Sequence, residues 1–84
     1  MMTYCITFRS VTFAQRGESV LQKSGIHCLL QRTPRWMEAQ GCGYCLRLRD
    51  QDITQALQIL RQQQVPMRKV YFQREDGMVK EVLM

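Results

Sequence analysis

The hydrophobic and polar positions of this chain alternate and recur in short, well-separated blocks. Tyr4, Ile6 and Phe8 interleave with Cys5, Thr7 and Arg9, a period of two that predicts strand one. Ser10 suits a helix N-cap. Ala14, Gly17, Leu21 and Ser24 then recur at helical spacing beside Val20, predicting a helix over 11–24 that Gly25 closes from the C′ position. Gly17 in mid-helix costs about 1 kcal/mol relative to Ala, so a close approach to the sheet is its expected use. Strand two is expected over Ile26–Gln31. Pro34, Gly41 and Gly43 break the pattern and make 33–43 a loop. Strand three is expected over Tyr44–Arg49. Asp52 and Gln55 resemble a capping box ahead of a stripe of Ile53, Ala56, Leu57 and Leu60, with Pro66 beyond the helix end. Val70–Gln73 reads as strand four. Asp76-Gly77 reads as a hairpin turn, and residues 78–83 as a short edge strand.

The order β-α-β-β-α-β, plus a terminal β, suits an α+β ferredoxin-like sandwich: an antiparallel sheet with two helices on one face. The expected strand order is 4-1-3-2, with the last strand extending the strand-four edge. Eighty-four residues support one domain over 1–84. Hydrophobic content of 45% and charged content of 23% fit a folded chain and argue against disorder. No apolar run reaches the ~20 residues of a membrane span, and the N-terminus has no secretory pattern. Cytoplasmic residence is therefore the expectation, and a disulfide framework is not expected of the four cysteines, Cys5, Cys28, Cys42 and Cys45.

The net charge of +5 falls wholly on residues 1–49; residues 50–84 balance. A basic half suits small anions or nucleic acid, or simple solubility. In the expected topology the start of strand three lies beside the end of strand one, where the first helix begins. Cys42 and Gly43 should then lie near Ser10, at a pole shared by Arg9, Arg32, Arg35 and Arg68. Spare N–H groups and positive potential there favour the thiolate of Cys42, the nucleophilic form. The glycines flanking it leave the backbone open to a ligand.

Several segments together resemble a small bacterial family of selenium/sulfur carrier-like proteins. These are the opening strand into Phe8-Arg9-Ser10, Thr33-Pro34-Arg35, Gly41-Cys42-Gly43-Tyr44 running into Leu46-Arg47, and the Glu75-Asp76-Gly77 turn. The most specific parts are Thr-Pro-Arg and a Cys-Gly followed by Arg47, four residues after Gly43. The resemblance implies that Cys42 carries sulfur or selenium as a persulfide or selenosulfide, with Arg35 at the family's arginine position. Sulfur- or selenium-donor and acceptor proteins would be the partners, and the chain would be a carrier or binding protein rather than a stand-alone enzyme. No cofactor is implied. The loop 36–41 lacks the serine-rich character of many members.

Two other readings stay open. Cys42-Gly43-Tyr44-Cys45 is a CxxC, which would make Cys45 a second thiol in a dithiol redox protein. Residues three apart at the start of a strand tend to point to opposite faces, so only a bulge or turn at Gly43 would bring these sulfurs together. A regulatory or RNA-binding module is the other. Arg9, Arg47 and Arg49 would lie with Cys5 and Cys45 on the sheet face away from the helices, but sheet-based RNA readers place aromatics there. Here Tyr4, Phe8 and Tyr44 take the opposite register, which counts against nucleic acid. That outer face could alternatively be an interface, joining two copies as a homodimer or meeting a partner protein. One CxxC, His27 and two scattered cysteines fall short of a zinc site. Cys28, at strand spacing with Ile26 and Leu30, is expected in the core.

Overall fold

The computed structural model describes residues 3–33, 43–74 and 79–82. Its elements are β1 (Thr3–Phe8), α1 (Val11–Lys23), β2 (Leu29–Arg32), β3 (Tyr44–Arg49), a 3-10 turn (Asp50–Asp52), α2 (Ile53–Gln62), β4 (Val70–Gln73) and β5 (Val79–Val82). All strand pairings are antiparallel, in the order β2-β3-β1-β4-β5. The fold is α+β, a five-stranded sheet with two helices. A plain ferredoxin-like sheet has four strands; here the terminal strand extends the sheet beyond β4. The Asp76-Gly77 turn lies outside the described residues.

One face of the sheet meets both helices. Ile6 and Phe8 of β1, Leu46 and Leu48 of β3 and Val70 of β4 pack with Ala14 and Leu21 of α1 and Ile53, Ala56 and Leu60 of α2. Tyr4 and Tyr44 pack against the same core, so the aromatics lie on the helix side as their register requires. Tyr4 meets the ring of Phe72 edge-on, with centroids 5.1 Å apart. Gly17 lies where α1, α2 and the sheet converge. A Cβ there would stand 3.2 Å from Phe8 Cζ, 3.3 Å from Leu46 Cδ1 and 3.4 Å from Leu60 Cδ2, so the glycine is what lets the helix approach.

Both helices end in the same way. In α1, Gly25 has φ +81°, its N–H donates to Gln22 O at 3.0 Å and that of Ile26 to Leu21 O at 2.9 Å, a Schellman cap. In α2, Gln64 N–H donates to Arg61 O at 3.1 Å and Val65 N–H to Leu60 O at 2.9 Å. There the left-handed position is held by Gln64, φ 57°, a residue with a Cβ.

Three local expectations need correction. Strand two begins at Leu29, not Ile26, because Ile26 completes the cap of α1 and buries its side chain under the helices. His27 and Cys28 therefore cross from the helix layer to the sheet. Cys28 is half-buried against the core rather than inside it. The Asp52 capping box does not form. A 3-10 turn already feeds into α2, Asp52 has φ −101° and ψ −9°, and its side chain makes no cap bond, whereas a capping residue needs extended backbone. Its carboxylate instead takes a 3.5 Å contact from the Arg49 guanidinium.

Candidate functional site

The end of β1, the start of α1 and the start of β3 converge at one pole of the sheet. Phe8 pairs with Tyr44 and Tyr44 with Arg32. Just beyond, Thr33 N–H donates to Gly43 O at 2.9 Å, which ties the end of β2 to the residue after Cys42. Ser10 is extended, and its hydroxyl accepts from Phe13 N–H at 3.3 Å, capping α1. Arg9 follows β1 and is exposed. The Arg32 guanidinium stands 6.0 Å from the centroid of the Tyr44 ring. Arg68 N–H donates to Thr7 O at 2.8 Å, which brings 68–69 to the same end of β1. The structure thus gathers Gly43, Ser10, Arg9, Arg32 and Arg68 by backbone register. Cys42 and Arg35 lie outside the described residues.

Burial on the face of the sheet away from the helices is what sequence reading missed. Cys5, Thr7 and Cys45 have the parity of a solvent-facing row, yet Cys5 is 1% exposed and Thr7 and Cys45 are fully buried. Cys5 is flanked across the ladders by Arg47 and Tyr71, and Cys45 by Thr7 and Gln31. Cys5, Cys45 and Tyr71 form a second, small cluster of buried residues. Arg47 and Arg49 are exposed, as their register predicts. Arg47 therefore stands beside the two buried thiols rather than at the Gly43 pole.

These thiols have opposite acidities. Hydrogen bonding from Cys5 holds Cys45 down to about 7, against burial; the side chains of Thr33 and Gln31 and the charge of Arg47 act in the same direction. Cys5 moves the other way, raised first by acting as donor to Cys45 and then by burial. Thr33 Oγ1 is buried and has no well-formed hydrogen bond among the described residues. Cys28, by contrast, is raised to about 11 by burial, with a further push from Glu18.

At the other end of the sheet, a shallow groove of about 490 Å³ runs past Thr3, His27, Cys28, Leu29, Arg47 and Arg49. Among the described residues no three His, Cys, Asp or Glu side chains gather as metal ligands. No described helix is long and apolar enough to cross a membrane.

Comparison with known proteins adds one finding. No curated protein matches the chain, and no solved structure does. A family described as "Putative Se/S carrier protein-like" matches residues 3–72, which spans β1 through Phe72 of β4 and includes position 42. The chain belongs to this Se/S carrier-like family.

Proposed function

We propose that this protein carries sulfur or selenium on Cys42. The observation that carries the reading is membership of the Se/S carrier-like family over residues 3–72. Two features of the described residues support it. Gly43, the neighbour of Cys42, is tied to Thr33 beside the end of β1 and the N-terminus of α1, where unpaired N–H groups and the helix dipole favour an anion. Arg9, Arg32 and Arg68 are brought to that end by the same register, and their charge lowers the cost of a thiolate. We read the β-α-β-β-α-β part as a ferredoxin-like sandwich to which β5 is added, a scaffold that sets Gly43 at the end of the sheet where α1 begins.

In the transfer, the Cys42 thiolate attacks the outer sulfur of a donor protein's persulfide. The donor's S–S bond breaks, the donor leaves as a thiolate, and Cys42 holds the persulfide. Passing the sulfur to an acceptor thiol reverses these steps. Selenium would travel as a selenosulfide by the same exchange. Arg35 and Arg9 would stabilise the anion, and Gly43 would leave the backbone open to the partner protein.

Intact-mass analysis after incubation with a persulfide donor tests this. The wild type is expected to gain one sulfur that a reductant removes, and Cys42→Ser is expected to gain none. Equal gain by the variant would overturn the reading.

A further inference from the structure

We propose that Cys5 and Cys45 form a redox pair, closing to an intramolecular disulfide when the protein meets hydrogen peroxide. This pair is distinct from the CxxC of Cys42 and Cys45, and it does not depend on the carrier reading. Cys5 lies on β1 and Cys45 on β3, two residues apart along the ladder: Cys5 opposes Arg47, and Cys45 opposes Thr7. They are diagonal neighbours on one face of the two central strands, their side chains belong to one buried cluster with Tyr71, and neither is in a disulfide.

The surroundings divide the labour between the two sulfurs. Cys45 has Gln31 and Thr33 beside it and the Arg47 charge nearby, and these favour its thiolate. Hydrogen bonding with Cys45 and burial favour the protonated form of Cys5. A thiolate beside a second thiol supplies the attacking and the resolving sulfur of a two-step oxidation.

The Cys45 thiolate attacks one oxygen of the peroxide. The O–O bond breaks, Cys45 becomes a sulfenic acid, and the departing hydroxide takes up the proton that Cys45 had released, giving water. The Cys5 sulfur then attacks the Cys45 sulfur. The S–O bond breaks, and the Cys5 proton leaves with the hydroxyl as a second water. The two thiols give up two electrons and the peroxide accepts both. Both sulfurs are buried, which keeps bulky disulfides away and leaves hydrogen peroxide, a molecule close to water in size, as the oxidant proposed for the pair.

Diagonal neighbours of antiparallel strands are generally about 7–8 Å apart at Cα, and relaxed disulfides span roughly 4.4–6.8 Å. Closure therefore asks for a small shear of β1 against β3. The bridge that results is strained and readily reduced.

Peptide mapping of the folded full-length chain tests the pair. Wild type and Cys42→Ser are exposed to hydrogen peroxide, then denatured and alkylated. Both are expected to lose two hydrogens and to yield linked peptides containing Cys5 and Cys45, and a mild dithiol reductant should restore both thiols. Cys5→Ser should leave Cys45 as a sulfenic acid that a carbon-nucleophile probe captures. Full alkylation of Cys5 and Cys45 after peroxide treatment would overturn the proposal, as would a Cys42–Cys45 link in the wild type. Because the wild type gives the decisive map, a variant that fails to fold does not blur the result. Cys42→Ser also keeps the outcome separate from sulfur carriage.

Discussion

Thr7 shows how much one hydroxyl does in this sheet. The β1–β4 ladder pairs Ile6 with Val70, where β4 begins, while β1 runs on to Phe8. Thr7 continues the connection. Its N–H donates to Lys69 O at 2.8 Å, its hydroxyl donates to the same carbonyl at 3.2 Å, and Lys69 N–H donates back to Thr7 Oγ1 at 3.0 Å. Thr7→Val keeps the shape and removes the acceptor from Lys69 N–H. Losing that bond in a part-buried position is expected to destabilise by about 1–3 kcal/mol, read as a lower urea midpoint at unchanged slope. In sequence, Thr7 is merely the polar member of an alternating strand. Nothing local says that residue 69 will arrive beside it.

The elements carry their own boundary signals to differing degrees. Ser10 caps α1 and Gly25 closes it, both legible because a side-chain acceptor and a left-handed glycine act on neighbouring residues alone. The end of α2 uses the same cap with Gln64 at φ 57°, a position that gives no glycine for a reader to find. Holding a Cβ in the left-handed region costs roughly 1–2 kcal/mol, partly offset because glycine loses more freedom on folding, by about 0.5–1 kcal/mol. Gln64→Gly is therefore expected to raise stability by about 0.5 kcal/mol, whereas Gln64→Val should lower it, as branching at Cβ worsens the clash. Urea midpoints of the two variants should move in opposite directions. At the other end of α2, Asp52 and Gln55 had the spacing of a capping box, but the turn at Asp50–Asp52 had already wound the backbone.

Across the whole molecule, the sheet has a thick apolar layer under the helices and a thin buried cluster on its other face. The second cluster makes global stability sensitive to pH. Cys45 is held at about 7 in the fold, below its ordinary 9.0. Between those values the unfolded chain binds the extra proton, so this thiol's contribution grows as pH rises from about 7 to 9 and is lost as pH falls through 7. Cys28, raised to about 11, contributes below 9 and loses that contribution as pH climbs from 9 through 11. In reducing buffer, the stability difference between wild type and Cys45→Ala is expected to widen by on the order of 1 kcal/mol from pH 7 to 9. A difference that stays flat over that interval would contradict the assignment of Cys45 as the sulfur that ionises first.

The sequence alone determined the order of the elements, the caps of α1, the helix-facing row of Tyr4, Phe8 and Tyr44, and the resemblance to the Se/S carrier-like family. Such features depend on a residue and its near neighbours, or on period-two alternation, which records the side of the sheet that a residue faces. Alternation does not record depth on that side or the neighbour across the ladder. Only the tertiary structure decided that Cys5 and Cys45, forty positions apart in the numbering, share a buried cluster, that Arg47 lies beside them, and that Thr7 closes the gap to residue 69. The physical reason is that burial and register are set by how separate strands assemble, and that information belongs to pairs of distant residues.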